Sequence, residues 1–165
     1  MNKKAMAEYE QLYIQNKDNI FRICFLYLKD YQLAEDATQE TFCRAFRKRN
    51  LFRKKSDIKT WITSIAINIC KNMIKKKSYA ETATEESTFI NIPCTEVNID
   101  EKLTLSTAVA QLPVALREVI LLYYYQEITQ KEIAKILKIP ETTVAYRLRT
   151  AKEKLRAILK EDYYE

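Results

Sequence analysis

Glycine and histidine are both absent from the 165 residues of this chain, and only three prolines occur. Without glycine few residues adopt positive φ readily, which argues against glycine-rich phosphate loops and tight hairpins. Without histidine the chain lacks the usual acid–base catalyst, the Ser–His and Cys–His nucleophiles and most zinc sites. We therefore expect an all-α protein that is not an enzyme and carries no cofactor or metal.

Cysteine is scarce and scattered, and no C-x-x-C pair occurs among Cys24, Cys43, Cys70 and Cys94. This spacing does not indicate a disulfide framework, so we expect the protein to reside in a reducing compartment. Residues 1–11 have the positive charge typical of a signal peptide but lack its apolar segment, so we do not expect a signal peptide. No apolar run approaches the length of a membrane span. We expect a cytoplasmic protein.

The net charge of +6 favours an anionic partner but is unevenly distributed. Residues 1–78 contain 17 Lys and Arg against 8 Asp and Glu, whereas residues 79–102 contain one against six. The acidic segment is rich in Thr, Ser and Glu and lacks helical periodicity. We interpret it as a flexible linker between two small helical domains, residues 1–78 and 103–165. A long surface loop within one domain is the alternative, although structureless loops of this length are uncommon.

Residues 128–159 have the pattern of a helix-turn-helix, which places a helix in the DNA major groove. Thr129 and Glu132 have the spacing of a capping box, and Pro140 suits the start of a second helix. Turns of this kind often contain glycine, but Lys138 occupies the likely position here. A positive φ at Lys138 would cost about 1 kcal/mol.

The second helix of this motif has one apolar stripe and one polar face. The stripe recurs at helical spacing and comprises Val144, Leu148, Ala151, Leu155 and Ile158. The opposite face and its flank offer side chains suited to base edges: Thr142, Thr143, Tyr146, Arg147, Arg149 and Thr150. An ordinary helical hairpin with a solvated face is the alternative interpretation.

The first domain contains a helix over LAEDATQETFCRAFRKR, preceded by two helices predicted at residues 4–16 and 18–29. In the helix over LAEDATQETFCRAFRKR, one face is narrow and consists of small side chains. The other face carries Asp36, Gln39, Glu40, Cys43 and Arg47. That polar face is either solvated or a docking surface for a protein partner. A basic loop with interleaved aromatics follows, KRNLFRKKSD. The helix predicted over 58–77 then presents an amide–lysine stripe, Ser64, Asn68, Lys71, Asn72 and Lys75, which suits phosphates and base edges unless it is merely solvated.

Three stretches together resemble the extracytoplasmic-function (ECF) sigma factors of bacteria. They are DATQETFCRAF at 36–46, WITSIAIN at 61–68, and LPVALREVILLYYYQEITQKEIAKILKIPETTVAYRLRTAKEKLR at 112–156. Their order fits that family: region 2, an acidic linker, then region 4. The resemblance covers nearly the whole chain.

The resemblance implies three binding surfaces. In that family region 2 binds the clamp helices of the polymerase β′ subunit, and the matching positions are Asp36, Gln39, Glu40 and Arg47. The loop and helix that follow recognise and melt the −10 element and hold a flipped non-template base. The matching positions are Asn50, Phe52, Arg53, Lys54, Lys55, Ser56, Asp57, Asn68, Lys71, Asn72 and Lys75. Region 4 docks on the β flap and reads the −35 element as duplex, through Thr142, Thr143, Tyr146, Arg147, Arg149 and Thr150.

The resemblance also implies partners. These are core RNA polymerase, promoter DNA in duplex and single-stranded form, and an anti-sigma factor that is often membrane-anchored and would then hold the chain at the membrane. No small-molecule substrate is implied. This sequence departs from the family at the turn, where Lys138 replaces glycine, and at Ala145 and Tyr146, where Lys or Ser is frequent. Tyr146 could therefore change the −35 preference.

Three other functions remain as alternatives. A stand-alone regulator with a similar helix-turn-helix would need its own dimer surface. An enzyme acting on nucleic acid is disfavoured by the missing histidine and glycine-rich loop. The third is a helical protein-interaction module whose positive charge is incidental. A DNA-binding assay over a series of salt concentrations would separate it, because phosphate contacts make DNA affinity fall steeply with salt.

Overall fold

The computed structural model of the protein describes residues 3–52, 57–83 and 105–161, and all regular structure within these ranges is helical. The prediction of an all-α fold is confirmed. The first group of helices comprises α1 Lys3–Leu28, α2 Tyr31–Arg47 and α3 Ile58–Ala83, with a 3-10 turn at Arg49–Leu51. The second comprises α4 Leu105–Gln111, α5 Val114–Ile120, α6 Gln130–Leu137 and α7 Glu141–Glu161, with a π-helical turn at Leu121–Tyr125. Most of the predicted linker lies outside the described residues, but residues 79–83 continue α3.

The first helix is longer than the sequence pattern indicated. The two helices predicted at residues 4–16 and 18–29 form the single helix α1, so the predicted break was wrong. Neither proline nor glycine interrupts the segment, and the Asn16 side chain donates to the Leu12 carbonyl inside the helix at 2.9 Å. The buried face then continues through Ile20, Ile23 and Tyr27. A continuous apolar stripe stabilises one long helix better than two short ones.

Helix α2 packs closely on α1 because its buried face is narrow. Ala34, Ala37 and Thr41 are completely buried, and the Thr41 hydroxyl donates to the Ala37 carbonyl at 2.6 Å. Small side chains allow the two helix axes to approach. Asp30 caps α2 by accepting a hydrogen bond from the Leu33 amide at 2.8 Å.

The helix-turn-helix forms as its local sequence predicts. The Glu132 amide donates to the Thr129 hydroxyl at 3.3 Å, and the Thr129 amide donates to the Glu132 carboxylate at 3.2 Å, completing the capping box. Lys138 ends α6 in the left-handed conformation, with φ 56° and ψ 46°. The carbonyl of Pro140 accepts from the amides of Thr143 and Val144, so Pro140 lies one residue before α7.

The predicted apolar stripe anchors α7 to the rest of the domain. Val144, Leu148 and Ala151 are buried, and Leu155 and Ile158 are partly buried against the core. The two groups of helices also contact each other, through α1 on one side and α4 and α5 on the other. None of the described helices combines the length and apolar character needed to cross a bilayer.

Candidate nucleic-acid interface

The outer face of α2 is polar and open to solvent. Asp36, Gln39 and Arg47 are exposed, and Glu40 is partly exposed. Arg44 donates to the Glu40 carboxylate at 2.6 Å, which holds the pKa of Glu40 below its usual range. Sequence reasoning missed Arg44, although its i,i+4 spacing from Glu40 would have identified the pair. The face therefore offers a mixture of acidic, amide and basic groups on a rigidly packed helix.

The connection between α2 and α3 borders an aromatic groove. The rings of Phe52 and Trp61 lie 5.2 Å apart between centroids, tilted by 42°. Together with Tyr9, Phe46 and other side chains they line a cavity of about 420 Å³. Cavities of this size hold small ligands in other proteins.

The polar residues of this connection have different structural positions. Asn50 is exposed beside the groove, and the Asp57 carbonyl accepts from the Trp61 amide at 3.0 Å, at the start of α3. Four of the predicted DNA-binding residues, Arg53, Lys54, Lys55 and Ser56, lie outside the described residues. The structure thus locates both ends of the predicted basic loop.

The amide–lysine stripe lies along α3 as predicted, but two of its five members, Ser64 and Lys71, are only partly exposed. Asn68, Asn72 and Lys75 are exposed to solvent. Lys71 instead forms an ion pair with Glu118 at 3.3 Å, and 31% of its side chain is exposed. The Ser64 hydroxyl donates to the Trp61 carbonyl at 2.6 Å. The stripe is therefore accessible at three positions and engaged within the protein at two.

The polar face of α7 is open at its centre. Thr142, Tyr146 and Arg149 are exposed, and Thr143 and Thr150 are half-buried on its flank. The Arg149 guanidinium lies 5.7 Å from the centroid of the Tyr146 ring, which is within cation–π distance. Such an arrangement presents a flat cationic and aromatic surface to a partner.

Arg147 differs from Arg149 although both belong to the predicted reading face. Its guanidinium donates to the Glu118 carboxylate at 3.1 Å, and only 25% of its side chain is exposed. Arg147 therefore fastens α7 to α5 in this structure.

The residue that sequence reasoning missed most clearly is Glu118. Only 5% of its side chain is exposed, and it receives hydrogen bonds or ion pairs from Tyr27, Lys71 and Arg147. The sequence did contain a signal: Arg117 and Glu118 interrupt the apolar stretch VALREVILL. Charges inside an apolar stretch are expected to be buried, and buried charges need partners. Among the described residues no group of three His, Cys, Asp or Glu side chains is placed to hold a metal ion.

Comparison with known proteins decides the family. The Sigma-70 region 2 family model matches residues 12–79, and the Sigma-70, region 4 model matches residues 102–155. The chain is 31% identical to the ECF RNA polymerase sigma factor SigW of Bacillus subtilis, over 97% of this chain and 91% of SigW. It is 30% identical to the ECF sigma factor SigM of the same organism, over 90% of this chain and 93% of SigM.

The chain belongs to the ECF sigma factors of the sigma-70 family. Such proteins are transcription initiation factors that bind core RNA polymerase and direct it to promoter DNA. The two family matches are separated by residues 80–101.

Solved structures agree with the fold. The sigma factor RpoE of Bartonella quintana, solved with the anti-sigma factor NepR, superposes with a TM-score of 0.78 at 20% identity, over 93% of this chain and 97% of RpoE. CnrH, solved with the cytosolic domain of CnrY, superposes with a TM-score of 0.68 at 19% identity, over 95% of this chain and 90% of CnrH.

Proposed function

We propose that this ECF sigma factor uses three surfaces to start transcription, one for polymerase and two for promoter DNA. The observation that carries the proposal is the helix-turn-helix, whose second helix α7 is fastened by Val144, Leu148 and Ala151 and exposes Tyr146 and Arg149 on the opposite face. A fixed helix with an exposed cationic face is the geometry that enters a major groove. We assign residues 1–78 to region 2, 79–102 to the linker and 103–165 to region 4.

The polymerase-binding surface is the outer face of α2, formed by Asp36, Gln39, Glu40 and Arg47, and its partner is the pair of β′ clamp helices. Two properties of α2 support this proposal. Its outer face is exposed to solvent, and its opposite face is packed on α1 through Ala34, Ala37 and Thr41, which holds the helix in place. A rigid face loses little conformational entropy on docking. Region 4 contributes a second attachment at the β flap.

The −10 surface combines the aromatic groove with the stripe on α3. The groove beside Asn50, Phe52 and Trp61 has the aromatic walls that stack an extruded base. The stripe adds the amides of Asn68 and Asn72 for base edges and the ammonium groups of Lys71 and Lys75 for phosphates. The basic residues Arg53, Lys54 and Lys55, followed by Ser56 and Asp57, complete this proposed surface.

The −35 surface is the exposed face of α7, formed by Thr142, Thr143, Tyr146, Arg149 and Thr150. Arg147 belongs to it as the residue that fixes α7 against Glu118. Tyr146 and Arg149 present the largest exposed groups of the face, so we assign them the contacts that select sequence.

Regulation and location are part of the same proposal. The structure of RpoE was solved in complex with the anti-sigma factor NepR, and that of CnrH in complex with the cytosolic domain of CnrY. We propose that an anti-sigma factor controls this protein too, and that a membrane anchor on that partner would hold a cytoplasmic sigma factor at the membrane. We assign the protein no catalytic activity of its own; the polymerase performs the chemistry.

Run-off transcription tests the proposal directly. Purified bacterial core RNA polymerase is incubated with a pool of genomic promoter fragments, with and without the sigma factor. Discrete new transcripts are expected, and their start sites define both promoter elements. The matched control is the Thr142→Ala, Arg149→Ala double variant, which should bind core polymerase normally and lose those transcripts. Absence of transcripts, combined with tight duplex binding by the protein alone, would point instead to a stand-alone regulator.

A further inference from the structure

Two cysteines of region 2 lie against each other in the core between α1 and α3. Cys24 belongs to α1 and Cys70 to α3, and both side chains are completely buried. Their thiol groups are hydrogen-bonded to each other, and the Thr38 side chain of α2 also hydrogen-bonds to Cys24. The two cysteines are 46 positions apart in the sequence, so the packing of α1 on α3 brings them together. The sigma-factor activity proposed above makes no use of this pair.

The surrounding core keeps the two thiols adjacent. Ala34 and Ala37 of α2 and Ala66 of α3 are completely buried in the same cluster, and such small side chains allow helices to approach closely. A disulfide needs sulfur atoms about 2.05 Å apart on side chains that point towards each other. Thiols that already share a hydrogen bond point in this way, so a small approach of the two sulfur atoms suffices for bonding.

The two thiols differ chemically although they are equally buried. The hydrogen bond with Cys70 lowers the pKa of Cys24 against the opposing effect of burial, and the contact with Thr38 lowers it further. The pKa of Cys70 is raised, because its thiol is hydrogen-bonded to Cys24 and buried. The thiolate is the reactive form of cysteine. Cys24 is therefore the nucleophile of the pair, and Cys70 is its neighbouring thiol.

We propose that Cys24 and Cys70 form a modification site, at which a peroxide converts the two thiols into a disulfide that ties α1 to α3. In a reducing compartment the pair rests as two thiols, and the disulfides that form there are usually transient and redox-sensing. Thiol reductants restore the resting state by thiol–disulfide exchange.

With hydrogen peroxide the oxidation proceeds in two balanced steps. The Cys24 sulfur attacks one peroxide oxygen, the O–O bond breaks, and the departing hydroxide takes the thiol proton and leaves as water, so Cys24 becomes a sulfenic acid. The Cys70 sulfur then attacks the Cys24 sulfur, the S–S bond forms and the S–O bond breaks, and the hydroxide leaves as water with the Cys70 proton. In total, two thiols and one hydrogen peroxide give one disulfide and two waters.

Burial determines the rate and the selectivity of this reaction. Peroxide reaches the core when region 2 opens locally, so the first step is slower than at an exposed thiol. The second step is intramolecular and uses a thiol that is already in contact. The disulfide therefore forms before a second peroxide can oxidise Cys24 further, and the site responds to sustained oxidation.

The cross-link should stabilise the group of helices α1 to α3. It closes a loop that contains the whole of α2, and cross-linking a loop of this length lowers the entropy of the unfolded chain. A disulfide that fits the native packing should therefore raise the melting temperature by at least about 5 °C.

Mass spectrometry of the full chain tests the modification. The test variant is Cys43→Ser, Cys94→Ser, which retains only the buried pair; Cys43 is exposed on α2, and Cys94 lies outside the described residues. The folded variant is treated with hydrogen peroxide and then unfolded in the presence of an alkylating agent. We expect a mass lower by two hydrogen atoms, no alkylation, and a proteolytic peptide in which Cys24 is linked to Cys70. Dithiothreitol should restore both alkylation sites.

The matched control adds Cys70→Ala to the test variant and leaves Cys24 without its partner. Peroxide should convert this control to sulfenic and sulfinic acids rather than to an internal disulfide. Two results in the folded test variant would overturn the proposal. One is that both thiols remain free long after Cys43 of the wild type is fully oxidised. The other is oxidation of Cys24 beyond the thiol without a bond to Cys70.

If the test variant does not fold, the peptide map of the oxidised wild type decides the question. The peptide that links Cys24 to Cys70 differs in mass from every link to Cys43 or Cys94, and its absence would overturn the proposal.

Thermal unfolding followed by circular dichroism tests the fit of the cross-link. We expect the oxidised test variant to melt at least about 5 °C above its reduced form, and the Cys70→Ala control to show no such gain from the same treatment. A disulfide that forms but lowers the melting temperature would refute the claim that the native packing accommodates it.

Discussion

Replacing Arg149 by alanine should weaken binding of −35 duplex DNA by about 5- to 150-fold. Arg149 is exposed on α7, and its guanidinium lies 5.7 Å from the centroid of the Tyr146 ring. Loss of a well-made base contact costs about 1 to 3 kcal/mol, and each 1.4 kcal/mol corresponds to a factor of ten. Because the side chain fills no core position, the free energy of unfolding should change by less than about 0.5 kcal/mol.

The matched control is Arg147→Ala, which removes the same guanidinium group two residues from Arg149 on the same helix. Its guanidinium is bound to Glu118, and one oxygen of that buried carboxylate would lose its donor. A charge-assisted bond of this kind contributes about 1 to 3 kcal/mol, reduced here because Arg147 is partly exposed. We therefore expect a lower free energy of unfolding and a smaller loss of DNA affinity than for Arg149→Ala.

Fluorescence anisotropy with the −35 duplex, at one fixed salt concentration, measures the affinities, and urea unfolding measures stability. A duplex altered at each −35 position shows whether Arg149 selects sequence or only neutralises phosphate: in the second case all duplexes weaken alike. The reasoning fails if Arg147→Ala loses as much DNA affinity as Arg149→Ala while its stability is unchanged.

Three further predictions concern the caps and the polymerase face. Thr129→Ala should lower the free energy of unfolding by about 1 kcal/mol in urea titrations, since it breaks the capping box with Glu132, and an unchanged midpoint would contradict that role. Lys138→Gly should raise the free energy of unfolding by up to about 1.6 kcal/mol. Relief of the left-handed strain contributes about 1 to 2 kcal/mol, and the greater entropy of the unfolded chain removes about 0.4 to 1 kcal/mol of it; a lower melting temperature would count against this prediction. Asp36→Arg combined with Glu40→Arg should abolish co-purification with core polymerase without altering helix content, and normal co-purification would refute the α2 surface.

Local sequence was sufficient wherever short-range chemistry decides the structure. The capping box at Thr129, the left-handed turn at Lys138 and the apolar stripe of α7 all depend on residues within a few positions of each other. Periodicity also located the small buried face of α2 and its polar opposite. It failed on α1, because the weakly helical residues around Asn16 suggested a break that the continuous core contact through Ile20 removes.

The sequence by itself determined an all-α chain, its helix-turn-helix and the candidates for each binding face, because helix periodicity and capping are encoded by neighbours. Only the tertiary structure decided which of those candidates are engaged. Lys71 and Asn68 are alike in pattern, as are Arg147 and Arg149, yet Lys71 and Arg147 meet on Glu118 while the other two point to solvent. Glu118 is 47 residues from Lys71 and 29 from Arg147 along the chain, and no local rule relates residues so far apart. The burial of one carboxylate between two domains is a property of their packing, and it distinguishes the residues that hold this sigma factor together from those that face its partners.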